Sequence, residues 1–182
     1  TREDNYQVGY AYYRTKQFEK AVMYLMRVAT KKDGLSQTAY YHMADCYLKL
    51  EEKDYARNAF QAASKLDFEP EIKQNSLFNY AKLAYELSYN PYDEAIDAFH
   101  QYIDTYPNSP EVSEAYEFLI KVYMTTKNYD DALESLDRIA DKDDRLKVAY
   151  QTIVFNRAVE LYHNESFQLA SEHFSSVKTY PI

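Results

Sequence analysis

Apolar positions recur along this chain at helical spacing, and the recurrence itself repeats. An aromatic residue, an alanine three later, a bulky residue four beyond it and an apolar residue three further occur as Phe18/Ala21/Leu25/Val28, Tyr92/Ala95/Phe99/Tyr102, Tyr129/Ala132/Leu136/Ile139 and Phe167/Ala170/Phe174/Val177. A fifth copy, Ala56/Phe60/Ala63, has Lys53 in the aromatic's place. Such spacing lines one face of a helix. From Ala21 through Ala56, Ala95 and Ala132 to Ala170 the steps are 35, 39, 37 and 38 residues. Twelve residues upstream stand Gly9, Ala44, Ile120 and Ala158, and in the third copy Ala81 stands fourteen upstream. Three residues beyond these come Tyr12, Tyr47, Ala84, Tyr123 and Leu161, so every repeat is predicted to hold two helices. Small residues let the paired helices approach while aromatics fill the gap. The excess of the third copy falls in the segment Ser88–Tyr92, where Asn90-Pro91 predicts a longer turn.

Between repeats the chain stops and restarts abruptly. Tyr106-Pro107 ends a helix, because proline disfavours helix in the residue before it and lacks an N–H. Ser109, Pro110 and Glu111 then predict an N-cap, a first-turn proline and an acid matched to the helix dipole.

Composition agrees with an all-α chain. Two glycines and five prolines in 182 residues leave little material for the many turns of a β fold. A hydrophobic content of 46% supports a substantial core. The net charge of −8 opposes a polyanionic partner, so nucleic-acid binding is disfavoured. Cys46 is the single cysteine, which excludes an intramolecular disulfide and a multi-cysteine zinc site. No apolar run reaches eighteen residues, so no membrane-inserted segment is expected.

The repeats resemble the tetratricopeptide repeat family, whose unit is about 34 residues of helix, turn and helix. Residues 8 to 28, VGYAYYRTKQFEKAVMYLMRV, carry the likeness most fully, and residues 127 to 139, KNYDDALESLDRI, follow the same pattern. Ile120 in place of a small residue, Lys53 in place of an aromatic and the lengthened steps depart from it. The resemblance implies a right-handed superhelical solenoid of about five units, near residues 2–34, 37–69, 73–108, 111–145 and 149–182, forming one array. Phe174 and Val177 would then lie near an open end. The chain is accordingly expected to be a segment of a longer array or to self-associate there.

The resemblance further implies a non-catalytic scaffold that binds a protein or peptide in a concave groove lined by each unit's first helix. Groove positions off the packing stripe are Tyr6, Tyr10, Tyr13 and Arg14; Tyr41, Asp45 and Lys49; Phe78, Lys82 and Tyr85; Lys121; and Phe155 and Tyr162. They are rich in aromatic rings, and tyrosine offers a large rigid contact area plus a hydroxyl at low entropic cost. The other reading is that these rings pack against neighbouring helices. The clamp of Lys, Asn and Arg by which some family members hold a terminal carboxylate is incomplete, because Tyr6, Tyr10, Tyr41 and Asp45 occupy its positions. An apolar or mixed extended ligand fits better. The alternative is a structural or regulatory arm of a larger protein with no autonomous binding.

Catalytic and metal chemistry find little support. His42 and Cys46 share a helix face without further ligands, and Glu160 with His163 lacks the second copy that a bundle di-metal site needs. His100 and His173 have no nucleophile patterned nearby, and Gly9 and Gly34 cannot form a phosphate loop. No cofactor is expected. The acid runs at 129–134 and 141–144 read as a helix start and a solvated turn. The stretch Tyr106–Tyr123 is similar to repeats of bacterial cell-envelope members, which implies periplasm or envelope, with cytoplasm as the alternative.

Overall fold

The computed structural model describes residues 1–87, 92–139 and 142–179, so the predicted Ser88–Pro91 turn and Asp141 of the second acid run lie outside the described residues. These form ten α-helices and no strand. In chain order they are α1 (Arg2–Arg14), α2 (Phe18–Leu25), α3 (Gly34–Lys49), α4 (Lys53–Ser64), α5 (Pro70–Leu87), α6 (Tyr92–Thr105), α7 (Val112–Thr126), α8 (Tyr129–Asp137), α9 (Asp144–His163) and α10 (Phe167–Ser176), with a 3-10 turn at Val177–Thr179. Two compact bodies hold them, Thr1–Pro107 and Asn108–Ile182.

Local chemistry fixes where the helices start. Thr1 and Asp4 form a reciprocal capping box on α1. Asp33 accepts from the Ser36 N–H at 2.9 Å, so α3 begins at Gly34, ahead of residue 37. Pro70 occupies the first turn of α5, and Asp143 caps α9 by accepting from the Leu146 N–H at 2.9 Å. Of these first helices, α1 starts at the boundary drawn from repeat spacing, whereas α3, α5 and α9 start three, three and five residues ahead of theirs. The restart after Pro107 differs too: α7 begins at Val112, with Glu111 rather than Ser109 at its N-cap. There the Ser109 hydroxyl pairs with the Glu111 carboxylate, and the Ser109 carbonyl accepts from the Val112 N–H at 3.2 Å, holding a turn instead of a first helical residue.

The turn inside each described hairpin is the same device four times. Lys16, Glu51, Lys127 and Glu165 all stand seven residues after the small-residue position of the first helix, and all are left-handed, at φ of 59°, 61°, 59° and 59°. The following N–H reaches back five residues in each: Gln17 to the Tyr12 carbonyl at 2.9 Å, Glu52 to Tyr47 at 2.9 Å, Asn128 to Tyr123 at 2.8 Å and Ser166 to Leu161 at 2.9 Å. This is a Schellman ending, which satisfies carbonyls that a helix terminus would otherwise leave unpaired.

The repeating alanines are the closest-packed points. Ala21, Ala56, Ala95 and Ala132 are wholly buried, as are Ala44, Ala81 and Ala158 on the first helices. Gly9 serves the same purpose on α1: a Cβ there would stand 3.0 Å from Leu25 Cγ and 3.2 Å from Tyr24 Cβ. Tyr12 and Tyr24 stack beside it at 5.6 Å.

A polar clasp repeats alongside this apolar stripe. Arg2, Gln37 and Gln74 each stand seven residues before the small residue of their first helix, and each reaches the residue seven beyond the alanine of the second helix. Arg2 donates to the Val28 carbonyl from Nε at 3.1 Å and from Nη2 at 2.8 Å, and it forks onto Asp33 at 2.6 and 3.0 Å. Gln37 donates to the carbonyls of Ala63 at 3.2 Å and Leu66 at 2.7 Å. Its Oε1 accepts from the N–H groups of Phe68 at 3.1 Å and Glu69 at 2.8 Å. Gln74 donates to the Tyr102 hydroxyl at 3.2 Å.

Candidate functional site

In the N-terminal body the first helices α1 and α3 carry a continuous cluster of rings. Tyr6, Tyr10 and Tyr13 follow one another along α1 at spacings of four and three, which places them on one face. Tyr6 and Tyr10 stack at 6.0 Å and 9°, and Tyr10 and Tyr13 at 5.9 Å and 30°. His42 from α3 enters this stack, with ring centroids 6.2 Å from Tyr6, 5.1 Å from Tyr10 and 5.0 Å from Tyr13. Tyr41 closes the far side, edge-on to His42 at 5.8 Å and to Phe60 of α4 at 6.0 Å. All five rings are half-buried, so each shows part of its surface to solvent.

The electrostatics of the cluster follow from its burial. Desolvation pushes the Tyr13 phenol up to about 12, helped by a hydrogen bond to Asp45 and by repulsion from that carboxylate. Tyr6 and Tyr41 are raised for the same first reason. Burial lowers the His42 imidazolium, with Asp45 opposing, and its Nδ1 is buried without a hydrogen-bond partner. Cys46 is fully buried and its thiol is pushed up to about 12 by desolvation, so it behaves as a small core residue rather than a nucleophile. Arg14 sits at the cluster's edge, its guanidinium 6.0 Å from the Tyr10 ring centroid. Lys49 is exposed and Asp45 half-buried.

The remaining positions assigned to a groove divide. Phe78 is buried, 5.0 Å from Tyr102 and 6.5 Å from Phe99, so its ring is core and drops out of the candidate surface. Its neighbours Lys82, which holds its ammonium 5.3 Å from the Phe78 centroid, and Tyr85 remain half-buried. In the C-terminal body Lys121 lies 4.9 Å from the Phe118 centroid. Phe155 and Tyr162 turn towards the second helix of their own hairpin: Phe155 meets Phe174 at 5.7 Å and Tyr162 meets Phe167 at 5.4 Å. They form a separate apolar face.

Sequence spacing missed His42 as a member of the ring cluster. The available signal was its place beside Tyr41 at a position facing the preceding repeat. Glu160, considered above as half of a metal pair, instead accepts from Arg157 at 2.7 Å, and Arg157 also bridges to Asp130 at 2.6 Å. Among the described residues no three His, Cys, Asp or Glu side chains gather to hold a metal ion. No described helix is long and apolar enough to cross a membrane.

Stacked helical hairpins with small residues at each crossing define a helical repeat protein of the α-solenoid class. A tetratricopeptide repeat family model matches residues 81–145, and a model described as anaphase-promoting complex, cyclosome, subunit 3 matches residues 1–63. No curated protein sequence matches the chain. Among solved structures, MamA 41-end from Desulfovibrio magneticus RS-1 superposes at a TM-score of 0.59 and 18% identity, covering 97% of this chain and 92% of that one. YrrB, described as a TPR protein with an unusual peptide-binding site, gives 0.59 at 16% identity over 95% and 82%. A Podosopora anserina putative kinesin light chain with nearly identical TPR-like repeats gives 0.53 at 14% over 97% and 92%. Family models and structural neighbours together support the tetratricopeptide repeat family.

Proposed function

We propose that the chain is a non-catalytic scaffold whose N-terminal body binds a protein or peptide across the ring cluster of α1 and α3. The observation that carries this reading is the stack of Tyr6, Tyr10 and Tyr13 around His42, five rings with Tyr41 that stay partly open to solvent. A purely structural cluster would be expected to close over such area, whereas amphipathic rings left half-open serve as contact anchors. Arg14, Asp45 and Lys49 fringe the rings with both signs of charge, and Lys82 and Tyr85 extend the surface onto α5. An extended or helical segment with apolar anchors and a few charges suits that mixture better than a carboxylate terminus. The peptide site named for YrrB is in keeping with this use of the fold.

The net charge of −8 favours a protein over a nucleic acid as partner. The Tyr106-Pro107 break with Ser109, similar to that of envelope repeats, favours a bacterial envelope location over the cytoplasm. Fractionation of the native host with an antibody to this chain tests the compartment.

Affinity capture with the 182-residue chain, in parallel with a Tyr10→Ala/Tyr13→Ala/Tyr41→Ala variant, tests the site. A partner retained by the first and lost by the second, at similar melting temperature, supports the reading. A partner captured equally by both removes the cluster from the function.

A further inference from the structure

His42 ties the first repeat to the second, and its surroundings suit an uncharged ring. The imidazole lies 5.0 Å from Tyr13, 5.1 Å from Tyr10 and 6.2 Å from Tyr6, so three rings of α1 rest against one ring of α3. Its Nδ1 is buried and has no hydrogen-bond partner. In the neutral imidazole that nitrogen can hold a lone pair. In the imidazolium both nitrogens carry hydrogen, so Nδ1 becomes a buried N–H with no acceptor and shares a poorly solvated positive charge. Burial disfavours the charged ring accordingly.

The groups around the ring give that charge little relief. On α3 itself Asp45 favours the imidazolium, but Asp45 also accepts from the Tyr13 phenol. Cys46 on the same helix is held as a neutral thiol. From α1 come the phenols of Tyr6, Tyr10 and Tyr13. At their edge the Arg14 guanidinium donates to the Tyr10 hydroxyl at 3.4 Å and repels a second cation. From α2 and α4 the cluster receives the apolar rings of Phe18 and Phe60. Lys20 of α2 donates to Gln17, while Lys53 and Arg57 of α4 pair with Glu86 and Glu94. From α5, Glu71 acts on Tyr41.

We infer that His42 is an acid sensor for the ring cluster, whose protonation parts α1 from α3 and releases the partner held across them. The release rests on the cluster being the binding site, whereas the parting is a property of the free chain. Once parted, the imidazole meets water and titrates near its ordinary value of about 6.5. The closed seam is therefore fully favoured above that pH and is progressively lost below it.

Hydrogen exchange of α1 in the full chain, read by mass spectrometry at pH 7 and pH 5 and divided at each pH by the rate of an unstructured peptide, is the test. Opening of α1 should grow by at least about threefold on acidification, within a ceiling of about tenfold per pH unit for one proton. His42→Phe keeps a ring in place and should abolish that growth. Asp45→Asn should enlarge it, because the carboxylate that favours the imidazolium is gone. Circular dichroism checks that both variants fold, and the wild-type response decides even where one does not. Opening that is unchanged at pH 5 overturns the inference, as does growth that survives His42→Phe. Opening that falls at pH 5 also overturns it, since the tyrosine faces would then be holding the cation. Equal capture of a partner by the wild type and the Tyr10→Ala/Tyr13→Ala/Tyr41→Ala variant overturns the release but leaves the parting, so the two readings fail separately.

Discussion

The side-chain amide of Gln37 donates to the Leu66 carbonyl at 2.7 Å, tying the first helix of the second repeat to the end of its second helix. Gln37 is wholly buried, and the same amide accepts from two backbone N–H groups beyond Leu66. Gln37→Leu keeps the volume and strands the carbonyl and both donors. Each buried polar group left unpaired costs about 1–3 kcal/mol, and relaxation shares the loss among them, so a total of about 2–4 kcal/mol is expected. Urea denaturation followed by circular dichroism measures it; a loss under 1 kcal/mol would mean that water replaces the amide.

Gly9 permits the closest helix approach in the first repeat. Valine there drives two methyl groups towards Leu25 and the Tyr24 Cβ, which already lie closer to a bare Cβ than ordinary van der Waals contact. Overpacking of this kind costs about 1–3 kcal/mol. Thermal unfolding of Gly9→Val should show the corresponding drop, and Leu25→Ala in the same background should recover part of it.

Four left-handed turn residues lack the glycine that this backbone favours. Glycine at Glu51 or Lys127 relieves the Cβ conflict at the cost of extra freedom in the unfolded chain, for a net gain of about 0.5–1 kcal/mol. The two sites share no partner, so the double variant should show the sum. Melting temperatures that fall would indicate that the side chains, not the turn, set the balance.

Acid and alkali should act near opposite ends of α1, at Arg2 and at Tyr13. The Arg2 guanidinium and the Ser36 N–H hold the Asp33 carboxyl well below the usual carboxylate range. Its stabilising effect is full above the unfolded value of about 3.9 and is lost as pH falls below it. Asp33→Asn should therefore lower the melting temperature at pH 7 and flatten its decline between about pH 4 and 2.

Tyr13 behaves conversely. Its neutral phenol is favoured in the fold, so its contribution is complete below the ordinary value of about 10 and is lost as pH rises through about 12. Ultraviolet titration should find late-ionising tyrosines at Tyr13 and Tyr80, and Tyr13→Phe should remove the first of them. Asp45→Asn should bring that midpoint down, because the carboxylate both accepts from the phenol and repels the phenolate.

Much of the fold is legible from the alanine spacing, because a wholly buried crossing tolerates few side chains and so marks the period directly. Ala21, Ala56, Ala95 and Ala132 all fall where two helices meet. Helix starts were less legible, since Asp33 and Asp143 act through single hydrogen bonds that no periodicity records. The restart after Pro107 misled because Ser109 has the chemistry of a cap yet spends it on Glu111. For the ring cluster, spacing grouped Tyr6, Tyr10 and Tyr13 on one face. It could not separate Phe78, which meets Phe99 and Tyr102 in the core, from Tyr41, whose matching position stays half-open. Burial depends on what lies across the helix, and one helix's sequence does not contain that.

The clasps of Arg2 and Gln37 make the hairpins non-interchangeable despite their common outline. A guanidinium at one position needs the acid at Asp33, while the amide at the other needs the two peptide hydrogens of Phe68 and Glu69. Shuffled chimaeras that swap α1 for α3 would misfit at this rung as well as at the helix crossing, where Ala44 would bring a Cβ to the Gly9 position. Recombination should succeed when the seam carries each clasp together with its receiving loop.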